Sequence, residues 1–322
     1  MNADNDRRSS GGSPADGRAG GDGDDLLGTL WFEHDQPVVD MACLYRAKVV
    51  LLDQKGGVTL CRDGEAGPGR LMAVARPLGL AAGPEGRLVF VDGDGRIVEL
   101  SLTEDDYDPL DPEARRAHIV HAGATEPIEC FAVSPLGTVV AFAAAARRQV
   151  SGFFLDSEIV RTLADGIERP SALGFAADGR LLAAGTAAGE VRIVDLGGRE
   201  VTLELRDDRF AGSAVSAVAG SPDDGWLVAY ENQRLAHWDG DGELAYDIDT
   251  KAPVACLAVD ERTGAVAFGT SHGAVHVRDA SLGESLADGR VVTGALRRIA
   301  FMGIGDELVC AGAGGEVRYL AL

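Results

Sequence analysis

One unit of about eleven residues recurs seven times along the chain: an apolar strand, a tight polar turn, a glycine or its equivalent, and a second strand. It reads KVVLLDQKGGV from Lys48, RLVFVDGDGRI from Arg87, LLAAGTAAGEV from Leu181, AVAFGTSHGAV from Ala265 and ELVCAGAGGEV from Glu307. Two looser copies, TVVAFAAAARRQV from Thr138 and WLVAYENQRL from Trp226, complete the set. Apolar and β-branched runs flanking a turn, with glycine where φ must be positive, make each copy a β-hairpin. An internal repeat of this kind fixes the architecture before any single residue is considered.

Two further anchors set the size of the repeating unit. Apolar strands open at a proline at Pro37, Pro77, Pro127, Pro170 and Pro253, five of the twelve prolines. Proline is tolerated at the first residue of a strand, where its missing N–H costs no ladder bond. These strands run into turns such as GPEG at 83–86, SPLG at 134–137 and AADG at 176–179, and SPDDG at 221–225 fills the same place in a unit without the proline. An aspartate closes the second strand of the hairpin at Asp63, Asp156, Asp195, Asp239 and Asp279, and the last four are spaced by 39, 44 and 40 residues. That spacing matches the roughly 40 to 45 residues of a four-stranded propeller blade.

With Trp238-Asp239 supplying the eponymous dipeptide, the chain resembles the WD-repeat family over residues 26–322. The resemblance implies an all-β, seven-bladed β-propeller. No Gly-His dipeptide opens a blade, so the buried His–Asp network of WD repeats is not expected. The last blade, residues 295–322, holds only three strands, and the apolar run LLGTLWFEH at 26–34 is expected to supply the fourth and close the ring, hiding edges that would otherwise pair with other chains. Residues 103–117, with two Asp-Pro pairs and six carboxylates, interrupt the second blade as an exposed loop. By the family's topology this loop projects from the face carrying the first-to-second strand turns.

Composition narrows the functional classes. Residues 1–25 are rich in Gly, Asp, Ser and Arg and are expected to be a disordered tail, since they carry too little apolar surface to offset ordering entropy. That tail has no apolar core of a signal peptide, and no stretch nears the roughly 18 apolar residues of a membrane helix, so a soluble, cytoplasmic protein is expected. The net charge is −21, of which −3 belongs to the tail and −18 to the body. Such a field repels phosphate backbones and anionic membranes, which argues against nucleic-acid and membrane partners. Five scattered cysteines without close pairs point to reduced core thiols rather than disulfides or a zinc site.

Catalytic constellations are lacking. The six histidines have no metal-ligand spacing, and there is no nucleophile elbow. Asp92 with Asp94 and Asp239 with Asp241 set paired carboxylates on tight turns, which suits either hairpin chemistry or a hard cation. Without a third or bidentate carboxylate at fixed spacing, turn chemistry is the expectation, with no metal and no cofactor.

What remains is a propeller's two loop-lined faces. The hairpin turns converge on the face where WD-repeat proteins usually hold partners, and they supply Asp53, Gln54, Lys55, Asp92, Asp94, Arg147, Arg148, Glu231, Asn232, Gln233, Ser271 and His272 as candidate contacts. The inserted loop adds Glu104, Asp105, Asp106, Tyr107 and Asp108. The expected function is a non-enzymatic scaffold or adaptor for another protein with a basic surface, including a subunit of a multi-protein prokaryotic complex of the conflict or defence type. The alternative is a propeller hydrolase or lyase with a metal in the central channel, which requires several convergent carboxylates, Asn or His at the channel mouth.

Overall fold

The computed structural model describes residues 27–44, 48–62, 65–101, 117–121, 127–144, 147–302 and 307–322. Within them, 28 strands form seven four-stranded antiparallel sheets. The first strand, β1 (Thr29–Glu33), belongs to the last sheet. Blade 1 contains β2 (Val38–Leu44), β3 (Lys48–Asp53), β4 (Gly57–Arg62) and β5 (Glu65–Ala73). Blade 2 contains β6 (Pro77–Ala82), β7 (Arg87–Asp92), β8 (Arg96–Ser101) and β9 (Ala117–His121). Blade 3 contains β10 (Ile128–Val133), β11 (Val139–Ala144), β12 (Gln149–Phe154) and β13 (Ile159–Asp165). Blade 4 contains β14 (Pro170–Phe175), β15 (Leu181–Thr186), β16 (Val191–Asp195) and β17 (Glu200–Leu205). Blade 5 contains β18 (Val215–Gly220), β19 (Trp226–Tyr230), β20 (Arg234–Trp238) and β21 (Leu244–Asp249). Blade 6 contains β22 (Val254–Asp260), β23 (Ala265–Thr270), β24 (Ala274–Asp279) and β25 (Ser285–Arg290). Blade 7 is β26 (Leu296–Phe301), β27 (Glu307–Gly312) and β28 (Glu316–Ala321), completed by β1.

The seven sequence hairpins are the second and third strands of the seven blades. Their first halves read as unbroken apolar runs because both faces of each blade are covered by neighbouring blades: β3, β11, β19 and β23 are buried along their whole length. The largest side chains concentrate between blades 4 and 5, where Trp226, Trp238, Tyr230 and Phe210 share one cluster and Phe210 stacks on Tyr230 at 4.2 Å. No cysteine among the described residues is in a disulfide, and burial pushes the thiols of Cys61 and Cys256 up to about 12.

Innermost strands β2, β6, β10, β14, β18, β22 and β26 contact one another in that order, and β26 meets β2 again, so the ring closes. Each carries a bulge at the same place, one residue into the pairing with its second strand. The extra residues are Val39, Leu78, Glu129, Ser171, Ser216, Ala255 and Arg297. A bulge bends its strand and re-aims a side chain, and in six of the seven blades the extra residue lines one central cavity, while Val39 packs against the apolar core of blades 1 and 2. Asp40 fastens this inner ring across three blades. It pairs with Arg298 of blade 7 at 3.4 Å and accepts the Leu80 N–H of blade 2 at 2.9 Å.

Closure follows the sequence expectation. β1 pairs antiparallel with β28 from Thr29 opposite Tyr319 to Glu33 opposite Glu316, and Trp31 stacks on Tyr319 at 5.4 Å. The Leu27 N–H donates to the Arg290 carbonyl of blade 6 at 2.7 Å, and the His34 N–H donates to the Gly315 carbonyl at 2.9 Å. One expectation is corrected. His34 Nε2 lies 3.4 Å from Asp53 Oδ2, a largely buried His–Asp contact formed without any Gly-His signature. The tail at 1–25 and the inserted loop of blade 2 lie outside the described residues.

Candidate functional site: the hairpin-turn face

In four blades a side-chain oxygen at the end of the second strand folds back over the hairpin turn. Asp53 Oδ1 accepts the Lys55 and Gly57 N–H groups at 2.7 and 2.8 Å, and Asp92 Oδ1 accepts those of Asp94 and Arg96 at 2.9 and 2.8 Å. Thr186 Oγ1 accepts the Glu190 N–H at 3.1 Å, and Thr270 Oγ1 the Ala274 N–H at 3.2 Å. A short polar side chain here satisfies turn amides that would otherwise be buried without a partner.

The turns are also clamped to the connections between blades. Val74, Val291 and His34 donate their N–H groups to the carbonyls of Gly56, Gly273 and Gly315, and Gly212 donates to Ala188. Hairpin and connection therefore move as one unit.

This geometry sorts the sequence candidates. Asp53 and Asp92 are only 6% and 2% exposed and their carboxylates face the turn amides, which removes them from the contact surface. Gln54, Lys55, Arg147, Arg148, Glu231, Asn232, Gln233 and His272 are exposed, and Ser271 is half-buried. Asp94 is exposed but paired with Arg76, as Arg148 is with Glu168. Asn232 is fixed through its N–H to Ser213 Oγ at 2.9 Å. Glu104, Asp105, Asp106, Tyr107 and Asp108 lie outside the described residues.

Sequence reading missed the residues of the inner strands and connections. A central cavity of about 260 Å³ is lined by Glu129, Ser171, Ser216, Arg297 and Arg298 among others. It adjoins one of about 440 Å³ that shares Glu129 and Ser171 and adds Arg169 and Glu231. A third, of about 490 Å³, lies over Val39, Gln54, Arg76 and Leu78. Glu129, Arg169, Glu231 and Arg297 make no ion pair or side-chain hydrogen bond among the described residues, and the Ser216 hydroxyl is buried without a partner. Arg76 and Arg169 also hold left-handed backbone at φ 46° and 48°, directly before the strand-opening prolines. That cation-proline pair was a readable signal.

Both paired-carboxylate turns use their aspartates on backbone amides. Asp239 Oδ1 accepts the Asp241 and Glu243 N–H groups at 3.0 and 2.8 Å, as Asp92 does in its own turn. Among the described residues no three of His, Cys, Asp and Glu converge as metal ligands. Excess EDTA should therefore leave the melting temperature unchanged, since a cation bound only to the native state would raise it by mass action. A clear drop in a differential-scanning trace would place a cation in the fold.

Compared with solved structures, the chain is similar to Raptor from Chaetomium thermophilum, with a TM-score of 0.75 and 18% sequence identity. The match covers 90% of this chain and 28% of Raptor's, so this chain spans little more than a quarter of that protein. No protein-family model and no curated protein matches the sequence. At that identity the likeness carries the architecture alone, and the chain is a seven-bladed β-propeller.

Proposed function

We propose that the protein is a non-enzymatic scaffold that holds another protein against its hairpin-turn face. The observation that carries this reading is the rigid rim of clamped turns around connected cavities, in which Glu129, Arg169, Glu231 and Arg297 keep their charges unpaired. Unpaired groups at a concave mouth can bind a partner without first breaking internal contacts, which lowers the cost of association. The net charge of −18 on the body favours a partner with a basic surface and speeds its arrival.

A pull-down followed by intact-mass identification would supply the partner. Surface plasmon resonance should then show binding weakened by about tenfold or more in the triple variant Glu129→Lys, Arg169→Glu, Glu231→Lys, since interface energy concentrates in a few central residues. Asp178→Asn, on the opposite face, serves as the control. Unchanged affinity in the triple variant would remove the hairpin-turn face as the docking site.

A further inference from the structure

Unpaired charge of a single sign gathers on one part of the propeller, the turns of blades 5 and 6 on the face opposite the hairpin turns. On the hairpin-turn face, Arg76 pairs with Asp94, Arg148 with Glu168, Arg209 with Asp207 and Lys251 with Asp249, while the unpaired charges at the cavity mouths include both signs, Glu129 and Glu231 beside Arg169 and Arg297. The opposite face carries the first-to-second and third-to-fourth strand turns. On blades 5 and 6 these turns expose Asp223, Asp224, Asp241, Glu243, Glu261 and Glu284. Of the six, Asp223 alone has an ionisable side-chain partner, the buried His237, whose Nε2 lies 3.1 Å away. Arg262 is the one cation in those turns.

A second observation separates this face from a merely acidic surface. Leu282 stands in a turn of blade 6 at 67% exposure, and Leu286, at 61%, follows where the outer strand of blade 6 leaves that turn; Leu136, at 61%, stands on the same face in a turn of blade 3. Among the described residues, no exposed large apolar side chain lies in a hairpin turn or in a connection between blades. Carboxylates alone could serve solubility. Exposed leucines set among them work against it, and apolar side chains rimmed by charge mark a protein contact surface.

The turns that present these groups are stiff. Asp239 caps its own turn as described above, and Asp279 Oδ1 accepts the Ser281 and Leu282 N–H groups at 3.0 and 2.9 Å. Tyr246 ties blade 5 to blade 6 through its hydroxyl, which donates to the Ala280 carbonyl at 2.7 Å. The backbones that carry Leu282, Asp241 and Glu243 are thus anchored within their own turns.

We infer that this face, centred on blades 5 and 6, is a second docking surface, for a protein whose contact patch sets apolar side chains among lysines and arginines. The complementarity is twofold: cations on the partner relieve unpaired like charges, and its apolar groups cover Leu282 and Leu286. A propeller engaged on both faces joins two proteins. This surface does not depend on the hairpin-turn reading, and either can fail without the other.

The test uses the full chain and two fluorescein-labelled probes of equal charge, an amphipathic lysine–leucine helical peptide and an oligolysine, followed by fluorescence anisotropy. Converting the six carboxylates to their amides should weaken the lysine–leucine peptide by about tenfold or more. The pair Leu282→Ser and Leu286→Ser should weaken it by about fivefold and leave oligolysine unaffected. Thermal melts of each variant establish that the fold is intact, as expected for exposed side chains. Two results would overturn the inference. One is an equal loss on neutralising Asp94, Glu168, Glu231 and Asp249 of the hairpin-turn face, which would mean bulk charge. The other is unchanged binding of the lysine–leucine peptide to the leucine variant.

Discussion

Removing residues 1–35 should abolish the cooperative fold or drive the protein into aggregates, whereas removing residues 1–25 should leave the melting temperature within about a degree or two. The shorter truncation keeps Leu27, whose N–H is bonded to the Arg290 carbonyl on blade 6. The longer one takes away all of β1, the Trp31 stack on Tyr319 and the His34 clamp on Gly315. It also bares β28 as a sheet edge beside the open side of the ring. Each lost main-chain bond contributes about 1 kcal/mol and the stacked aromatic pair about as much again. Such a sum is comparable with the roughly 5 to 15 kcal/mol that holds a typical domain together. Circular dichroism melts and size-exclusion chromatography of the two truncations decide the matter. Equal behaviour would mean that β1 is dispensable and that the three-stranded blade 7 closes the ring unaided.

The ring was legible in the sequence for a physical reason. Strands such as β3 and β19 are covered on both faces, so VVLL and WLVAY stand out as continuous apolar runs instead of alternating ones. Strand-opening prolines marked the innermost strands because their missing N–H is harmless there. The bulges were not legible. Glu129, Ser171 and Arg297 look like ordinary alternating residues until the register of β10, β14 and β26 against their neighbours is known. The channel-mouth groups were missed with them.

In the sequence Asp53 and Asp92 belong to hairpin turns and so stand among the candidate contacts, whereas in the structure both are buried. The better clue was the exchange of Asp53 and Asp92 for Thr186 and Thr270 at the same point of the repeat. Asp and Thr share an oxygen able to accept a turn amide, so their alternation there marks an inward capping role. The one-signed charge of the blade 5 and 6 turns was hidden for a different reason. Asp94 and Asp241 sit in near-identical Asp-Gly-Asp-Gly stretches, yet one is in a hairpin turn beside Arg76 and the other in a third-to-fourth strand turn with no cation. Only the direction of each strand through the ring tells them apart.

The clamp between hairpin turns and connections makes the second large prediction. Gly273 has φ +81°, and a Cβ added there would stand 2.2 Å from the Val292 carbonyl oxygen and 2.4 Å from that of Gly294. Val291 donates its N–H to the Gly273 carbonyl at 2.9 Å, so the connection cannot withdraw without losing that bond. Gly264 has nearly the same backbone, φ +74°, but nothing lies within 4 Å of its Cβ position. Gly264→Ala therefore isolates the cost of left-handed backbone, about 1 kcal/mol, while Gly273→Ala adds displacement of two carbonyls and should cost about 3 kcal/mol or more. In a chain of this size that difference corresponds to a further drop of about 4 °C or more in the melting temperature. Gly189 offers an independent copy of the experiment, with its Cβ position 2.2 Å from the Phe210 carbonyl oxygen. Denaturant titration of the three alanine variants should rank Gly264→Ala well above the other two in stability. Equal losses would show that the connections yield freely to the turns, and the hairpin-turn face would then be a set of independent loops with no preorganised surface for a partner to meet.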